Sequence, residues 1–297
     1  MTERTVRERS GNAIAAIAMV ITWSAGFIGA ELGTRAGGTP FMLLSWRMYA
    51  LSAVLLIVIL VRKAGWPDRS SWKRAAIVAV FSQVGYLTLI FEGVFHGVHG
   101  GTSALIAGLQ PLLVATVASR VLGERTTPVM WLGMVIGFVG VGVVVSNEIH
   151  AGNAPLSAYL YPTIGMLCLA IGTVLSRKLK SHETLLQATF MQAVVTGTIL
   201  GVLALIAGEA APLTTGDFWR SIAWMVIVPS LGGYVMYMYV THHMGATTVS
   251  TLLYLTPPTT MLWVAVMFGE PITSSTLVGM VISGVGVGLV LRARLRR

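Results

Sequence analysis

Apolar runs of about 20 residues, the length that carries a helix across a bilayer core, recur along this chain. They fall at approximately 11–29, 41–61, 75–96, 102–122, 129–146, 158–175, 184–206, 220–239, 247–268 and 274–291, with short polar or Gly/Pro-rich breaks between them. Ten such helices take up most of the 297 residues and leave no room for a soluble domain. Only 10% of the residues are charged, against roughly 25% in a soluble domain, so a water-facing surface cannot be covered. A soluble enzyme, a nucleic-acid binder and a disordered hub are excluded on that ground. The first run follows Arg4, Arg7 and Arg9; it is too long for a signal-peptide core and lacks a small-residue cleavage site, so it is expected to stay in the protein. The single cysteine, Cys168, lies in an apolar run and offers no disulfide framework.

Lysine and arginine fix the expected orientation. The N-terminus carries Arg4, Arg7 and Arg9; the second connection Arg62, Lys63, Arg69, Lys73 and Arg74; the fourth Arg120 and Arg125; the sixth Arg177, Lys178 and Lys180; the tail Arg292, Arg294, Arg296 and Arg297. The opposite side has only Arg35 and Arg220, with Arg47 inside a span. Positive charge collects on the cytoplasmic side, so both termini are expected there, as an even number of spans requires. The net charge of +9 follows from this bias and calls for no polyanion partner.

Residues 104–145 align without gaps on 250–291 at an offset of 146. Leu109, Pro111, Gly123, Glu124 and Thr127 recur as Leu255, Pro257, Gly269, Glu270 and Thr273, and Gly133–Ile136 recurs as Gly279–Ile282. Upstream the match fades to scattered agreement between Trp23–Leu32 and Ala170–Leu179. Each half then holds five spans, and an odd number per copy turns the copies upside down relative to one another. The expected fold is all-α, ten transmembrane helices in two inverted five-helix repeats at 11–146 and 158–291, with basic cytoplasmic termini at 1–10 and 292–297. Inverted repeats are a transporter device, because exchanging the two halves' conformations exchanges inside for outside access.

The segments GLQPLLVATVASRVLGERTTPVMWLGMVIGFVGVGVVV and YLTPPTTMLWVAVMFGEPITSSTLVGMVISGVGVGLVL each join a Pro-interrupted helix, a Gly-Glu turn and a Gly-rich last helix. With the Trp46-Arg47 pair that opens the second span, they resemble the EamA-type repeat of the drug/metabolite transporter superfamily over essentially the whole chain. Within it, general similarity is greatest to the bacterial aromatic amino-acid exporters. The resemblance implies a multi-pass protein of the bacterial inner membrane that exports a small metabolite.

Pro111 and Pro257 lie near the middle of equivalent spans. Proline removes an N–H and clashes with the carbonyl four residues earlier, which frees the carbonyls of Ala107 and Leu253, and of Tyr254 through Pro258. Such groups must face protein or water inside a membrane, and matched breaks near the midplane point to a transport site. Gln110 and Thr256 precede the prolines and suit either interhelical hydrogen bonding or substrate contact. Tyr86, Tyr234 and Tyr254 offer flat apolar walls with hydroxyl handles for an amphipathic solute, whereas Tyr239 fits an interfacial belt. Arg47 and Glu92 are ionisable residues within spans; they pair with each other, or Arg47 snorkels or holds a substrate carboxylate. Gln110, Pro111, Tyr86, Tyr234, Tyr254, Thr256, Pro257 and Arg47 are therefore the candidate substrate-binding residues.

Gly133-xxx-Gly137 and Gly284-xxx-Gly288 are expected to pack helices within the molecule more than between copies, giving a monomer or weak homodimer. No P-loop pattern occurs, so ATP is not the fuel of this chain. No catalytic constellation, cofactor or metal site is evident, and no dense acidic relay crosses the spans. The expectation is a secondary transporter working by alternating access on aromatic or hydrophobic amino acids. The alternatives are sugars or nucleotide derivatives as cargo and, further off, a channel or a membrane enzyme.

Overall fold

The computed structural model describes residues 3–110, 113–114, 127–151, 154–179, 183–245, 249 and 252–295. Pro111, Gly123 and Glu124 lie outside them. Every regular element among the described residues is helical. In chain order they are α1 (Glu3–Arg35), α2 (Pro40–Val61), α3 (Arg69–Ala79), α4 (Tyr86–Phe95), α5 (Gly100–Ala107), α6 (Pro128–His150), α7 (Leu160–Lys178), α8 (Leu185–Ile206), α9 (Gly216–Met225), α10 (Gly233–Met244), α11 (Thr256–Phe268) and α12 (Ser274–Leu295). A π-helical segment, Val80–Gly85, fuses α3 to α4, and another, Val226–Gly232, fuses α9 to α10.

Seven described helical stretches are long and apolar enough to cross a membrane, and Leu253–Phe268 and Ser274–Leu289 are shorter apolar ones. With the short helix α5 they are consistent with the ten-helix arrangement expected of the chain. The ends follow local chemistry. Thr39 before Pro40 and Thr127 before Pro128 place proline in the first turn, where its missing N–H is not needed. Thr184 and Gln187 form a capping box at the start of α8. Gly269 ends α11 at φ 71°, a left-handed conformation that glycine takes without a Cβ clash.

Packing follows a pseudo-two-fold pattern. The second and seventh spans meet as α2 on α8, the fifth and tenth as α6 on α12, and the fourth and ninth as α5 on α11. The first span packs on the eighth, through α1 with α9 and α10, and the third on the sixth, through α4 with α7. Elements equivalent at the 146 offset either pair with each other or exchange partners, as an axis between the halves demands. The two π-helical segments fall at the same offset, although their sequences share little.

The α6–α12 seam is the closest approach. Ser283 Oγ donates to the Gly137 carbonyl at 3.1 Å, and these two residues are themselves equivalent at the 146 offset. A Cβ on Gly140 would stand 2.5 Å from the Gly279 carbonyl oxygen, and one on Gly286 2.5 Å from the Gly137 amide nitrogen. Gly133, Gly137 and Gly140 thus interlock with Gly279, Ser283 and Gly286. The expected Gly284-xxx-Gly288 contact is corrected here, since a Cβ on either of those would meet nothing within 4 Å. The face of α12 that packs is rotated by about one residue from the expected one, because Ser283 rather than Gly284 meets Gly137.

Gly140→Ala should therefore destabilise the protein by about 1–3 kcal/mol, the usual cost of overpacking, read as a lower midpoint of thermal unfolding in detergent. Gly284→Ala, in open space on the same helix, should raise stability by roughly 0.5–1 kcal/mol through helix propensity. Equal effects at the two positions would contradict the seam.

Candidate functional site

Helix breaks, rather than a loop, interrupt the spans in the middle of this molecule. The fourth span breaks at Gly108–Leu109, where the Leu109 amide turns back to Ile106. The ninth passes through a 3₁₀ turn at Leu253–Leu255 before α11 starts afresh, with Pro257 and Pro258 in its first turn. The two breaks are equivalent at the 146 offset, and they cross each other: a Cβ on Gly108 would stand 2.8 Å from the Pro257 ring. Proline accounts for the break in the ninth span, where it cannot donate to the preceding turn; Pro111 lies outside the described residues.

Around this crossing the spans gather polar groups. Ser24 of α1 donates to the Val20 carbonyl at 2.8 Å and reaches the Thr256 carbonyl at 3.4 Å. The hydroxyls of Ser103, Thr256 and Thr260 are buried with no hydrogen-bond partner among the described residues. Trp224 donates to the Ala25 carbonyl at 3.1 Å and meets Trp263 edge to face at 5.7 Å. Gln110 uses its amide to donate to Thr173 of α7 at 2.9 Å, so interhelical bonding takes the group the sequence offered for either role.

Arg47 is the most demanding residue here. Its residue is 8% exposed, and no carboxylate among the described residues lies within ion-pair distance. Its Nη2 donates to Ser230 Oγ at 3.1 Å, and its Nε has no partner. Ser230 sits in the π-helical segment of the eighth span and donates in turn to the Met225 carbonyl at 2.8 Å, five residues back. The wide π turn thereby presents a hydroxyl oxygen to the guanidinium. Tyr86, at the mouth of the other π-helical segment, is the electrostatic neighbour of Arg47. The alternative that Arg47 pairs with Glu92 is corrected: Glu92 faces His96, with Oε2 to Nδ1 at 3.6 Å. The two groups leave α2 and α4 toward different neighbours, a matter of helix rotation that span assignment does not reveal.

The structure does not bring all the candidate residues together. Arg47, Tyr86 and Ser230 form one group. Tyr234 lies one turn beyond Ser230, toward Arg62 at the far end of α2. Thr256 and Pro257 are buried at the helix crossing, and Tyr254 packs against the apolar cluster that includes Leu105, Ile106 and Leu109. Ser230 itself was missed, since a lone serine next to Pro229 carries no visible signal.

A second cluster was also missed, at the end of the bundle where α1 stops. Arg35 joins Glu31 at 3.1 Å and Glu270 at 3.0 Å, and its guanidinium lies 4.4 Å from the Phe268 ring centre. His99 Nδ1 stands 3.4 Å from Glu148 and 3.8 Å from Glu270. Glu148 also accepts from Thr102 and, at 3.0 Å, from Tyr159. His99, Thr102, Glu148 and Glu270 line a cavity of about 30 Å³ with Met261 and Val264. The signal available was Glu31 within a helix that runs six residues past its expected end, and the repeated Gly-Glu turn.

Comparison with known proteins fits this architecture. The EamA-like transporter family matches residues 11–146 and 156–292. The uncharacterized transporter YyaM of Bacillus subtilis is 28% identical over 84% of this chain and 83% of its own length. The uncharacterized inner membrane transporter YedA of Escherichia coli is 24% identical over 89% of this chain and 83% of its own. A probable terminal-alkyne amino-acid exporter of Streptantibioticus cattleyicolor is 26% identical over 95% and 94%. A crystal structure 18% identical in sequence superposes with TM-score 0.66 over 95% of this chain and 97% of that one, a likeness of fold alone.

A buried charge without a counter-ion costs several kcal/mol, so Arg47 is held against stability. Arg47→Met should leave the melting temperature in detergent unchanged or raise it by a few degrees while abolishing flux; a variant that unfolds would instead make Arg47 a structural strut.

Proposed function

This chain belongs to the EamA-like transporter family, and from that premise we propose that it moves small amphipathic metabolites bearing a carboxylate, in the first place aromatic or hydrophobic amino acids, out of the cell by alternating access. The observation that carries the cargo class is Arg47, a buried guanidinium with a free Nε donor and no carboxylate of the described residues beside it. A carboxylate arriving there would replace lost hydration with charge-assisted hydrogen bonds. Tyr86 and Tyr234 then supply apolar walls with polar tips for the side chain of the cargo. Support for an amino acid comes also from the resemblance to a probable amino-acid exporter.

Sidedness rests on charge, and the outward direction on the family resemblance alone. With both termini in the cytoplasm, Arg62 and Tyr234 stand on the cytoplasmic approach to Arg47, and the Glu31 end faces outward. The halves rock about the α6–α12 and α2–α8 contacts and expose the helix breaks to each side in turn. With no ATP site in the chain, cargo gradients or ions drive the cycle.

Purified protein in liposomes should show saturable flux of labelled phenylalanine or tyrosine that unlabelled aromatic amino acids inhibit. The decarboxylated amines should compete about 10- to 100-fold less well, the worth of a hydrogen bond to a charged group. Flux that rises linearly with concentration, or that sugars rather than amino acids block, would refute the assignment.

A further inference from the structure

The cluster at the Glu31 end ties both halves of the molecule together. Glu31, Arg35, His99 and Glu148 come from the first half, Tyr159 and Glu270 from the second. Its groups arrive from α1, the α4–α5 connection, α6, the turn before α7 and the α11–α12 connection, so that end of the bundle cannot open without separating them. Three carboxylates face one permanent cation, Arg35, and one titratable ring, His99. With His99 neutral the closed cluster holds a net charge of −2; with His99 protonated, −1. The Glu31 side chain is 11% exposed, Glu148 12% and Glu270 16%, so this excess negative charge is poorly hydrated and a proton relieves it. His99, 30% exposed, remains within reach of protons from that side. His96 and Glu92, the neighbouring titratable pair on α4 and its connection, face each other.

We propose that this cluster is a proton-binding latch: a proton shared between His99 and Glu148 closes the outward mouth, and its loss leaves Glu270 held to the first half by Arg35 alone and lets the mouth open. The proposal rests on the alternating-access reading only in requiring a second, outward-open state. His99 is held above its ordinary value of 6.5, first by its hydrogen bond to Glu148 and then by the charges of Glu148, Glu270 and Glu31, against the opposing effect of burial. In the open state these groups separate into water and His99 returns to its ordinary value. The closed state therefore binds the proton more tightly, and by linkage protons favour it. The sign is fixed: the stabilisation of the closed mouth is complete below the free-histidine value and is lost as pH rises through the elevated one. Acid outside locks the mouth, and alkali releases it. The proton is drawn from and returned to the outer solution as the mouth closes and opens, so it sets the rate of opening without being carried across.

The test is a distance measurement on the full-length protein in nanodiscs, with spin labels at Ala36→Cys and Ser274→Cys in a Cys168→Ala background. Between about pH 5.5 and about pH 8.5, a range bracketing free histidine, the population should move from a short to a longer distance. Within the titration window the closed-to-open ratio should fall up to roughly tenfold per pH unit. His99→Gln should remove the part of the pH dependence that lies above the ordinary histidine value of 6.5. His99→Arg, which keeps the charge and serves if the glutamine variant fails to fold, should stay closed at both extremes. Two distances whose proportion ignores pH, or a His99 variant that titrates like the parent, would overturn the latch and leave alternating access standing. One distance under every condition, saturating amino acid included, would remove both.

Discussion

Hydrocarbon supplies no hydrogen bonds, and that absence governs where this protein departs from regular helix. An exposed backbone carbonyl in a bilayer costs several kcal/mol, so irregular backbone must face protein or enclosed water. The departures among the described residues within the spans come in two matched sets: the π-helical segments Val80–Gly85 and Val226–Gly232, and the breaks at Gly108–Leu109 and Leu253–Leu255. All lie well inside the spans. Polar groups gather at them in two sets, Arg47 with Ser230 and Ser24 with Thr256. The site exists because regular helix fails there twice in each copy.

Regular packing does the opposite work elsewhere. Along α6 and α12 the backbones approach so closely that a Cβ at Gly140 or Gly286 would strike main chain of the partner helix. Dispersion between small residues is what holds helices together when lipid is as apolar as leucine. A Gly-lined seam offers little side-chain interlock against rotation, which suits a pivot. Between α2 and α8 the design differs: Tyr49 lies across Gly197, whose added Cβ would stand 3.2 Å from its ring. Trp46, hydrogen-bonded to the Ala210 carbonyl at 3.1 Å, anchors the same pair of helices at one end. These are two of the three self-paired contacts, the third being the α5–α11 crossing; the exchanged pairs join the first span to the eighth and the third to the sixth.

Charge is handled in two ways. At the Glu31 end, five ionisable groups neutralise one another in part and collect neutral donors from Thr102 and Tyr159, so few oxygens stay bare. In the middle, Arg47 has a serine and a tyrosine beside it and, among the described residues, nothing negative. The first arrangement pairs most of its own charges, leaving Glu31 Oε2 without a partner; the second leaves Arg47 Nε without one.

The spans, the charge bias and the duplicated Pro and Gly-Glu positions were legible in the sequence because each is a local property. Hydropathy is summed over about 20 residues, and a proline breaks a helix wherever its neighbours lie. Arg47 could be picked out for the same reason, as a cation within an apolar run, and so could the break at Pro257. Its partner could not: whether Arg47 reaches Glu92 or Ser230 depends on how two helices are rotated against each other, and a rotation of one residue's 100° moves a side chain to a different neighbour. The π-helical segments stayed hidden because only one of the two copies contains a proline, so the equivalence lies in backbone hydrogen bonding and not in residue identity. The Glu31 cluster stayed hidden because its members are scattered from residue 31 to residue 270. Sequence by itself determined that the chain crosses a membrane as a duplicated, inverted unit; tertiary packing alone decided which polar groups meet, since meeting requires helices far apart in the chain to share an orientation that no local pattern specifies.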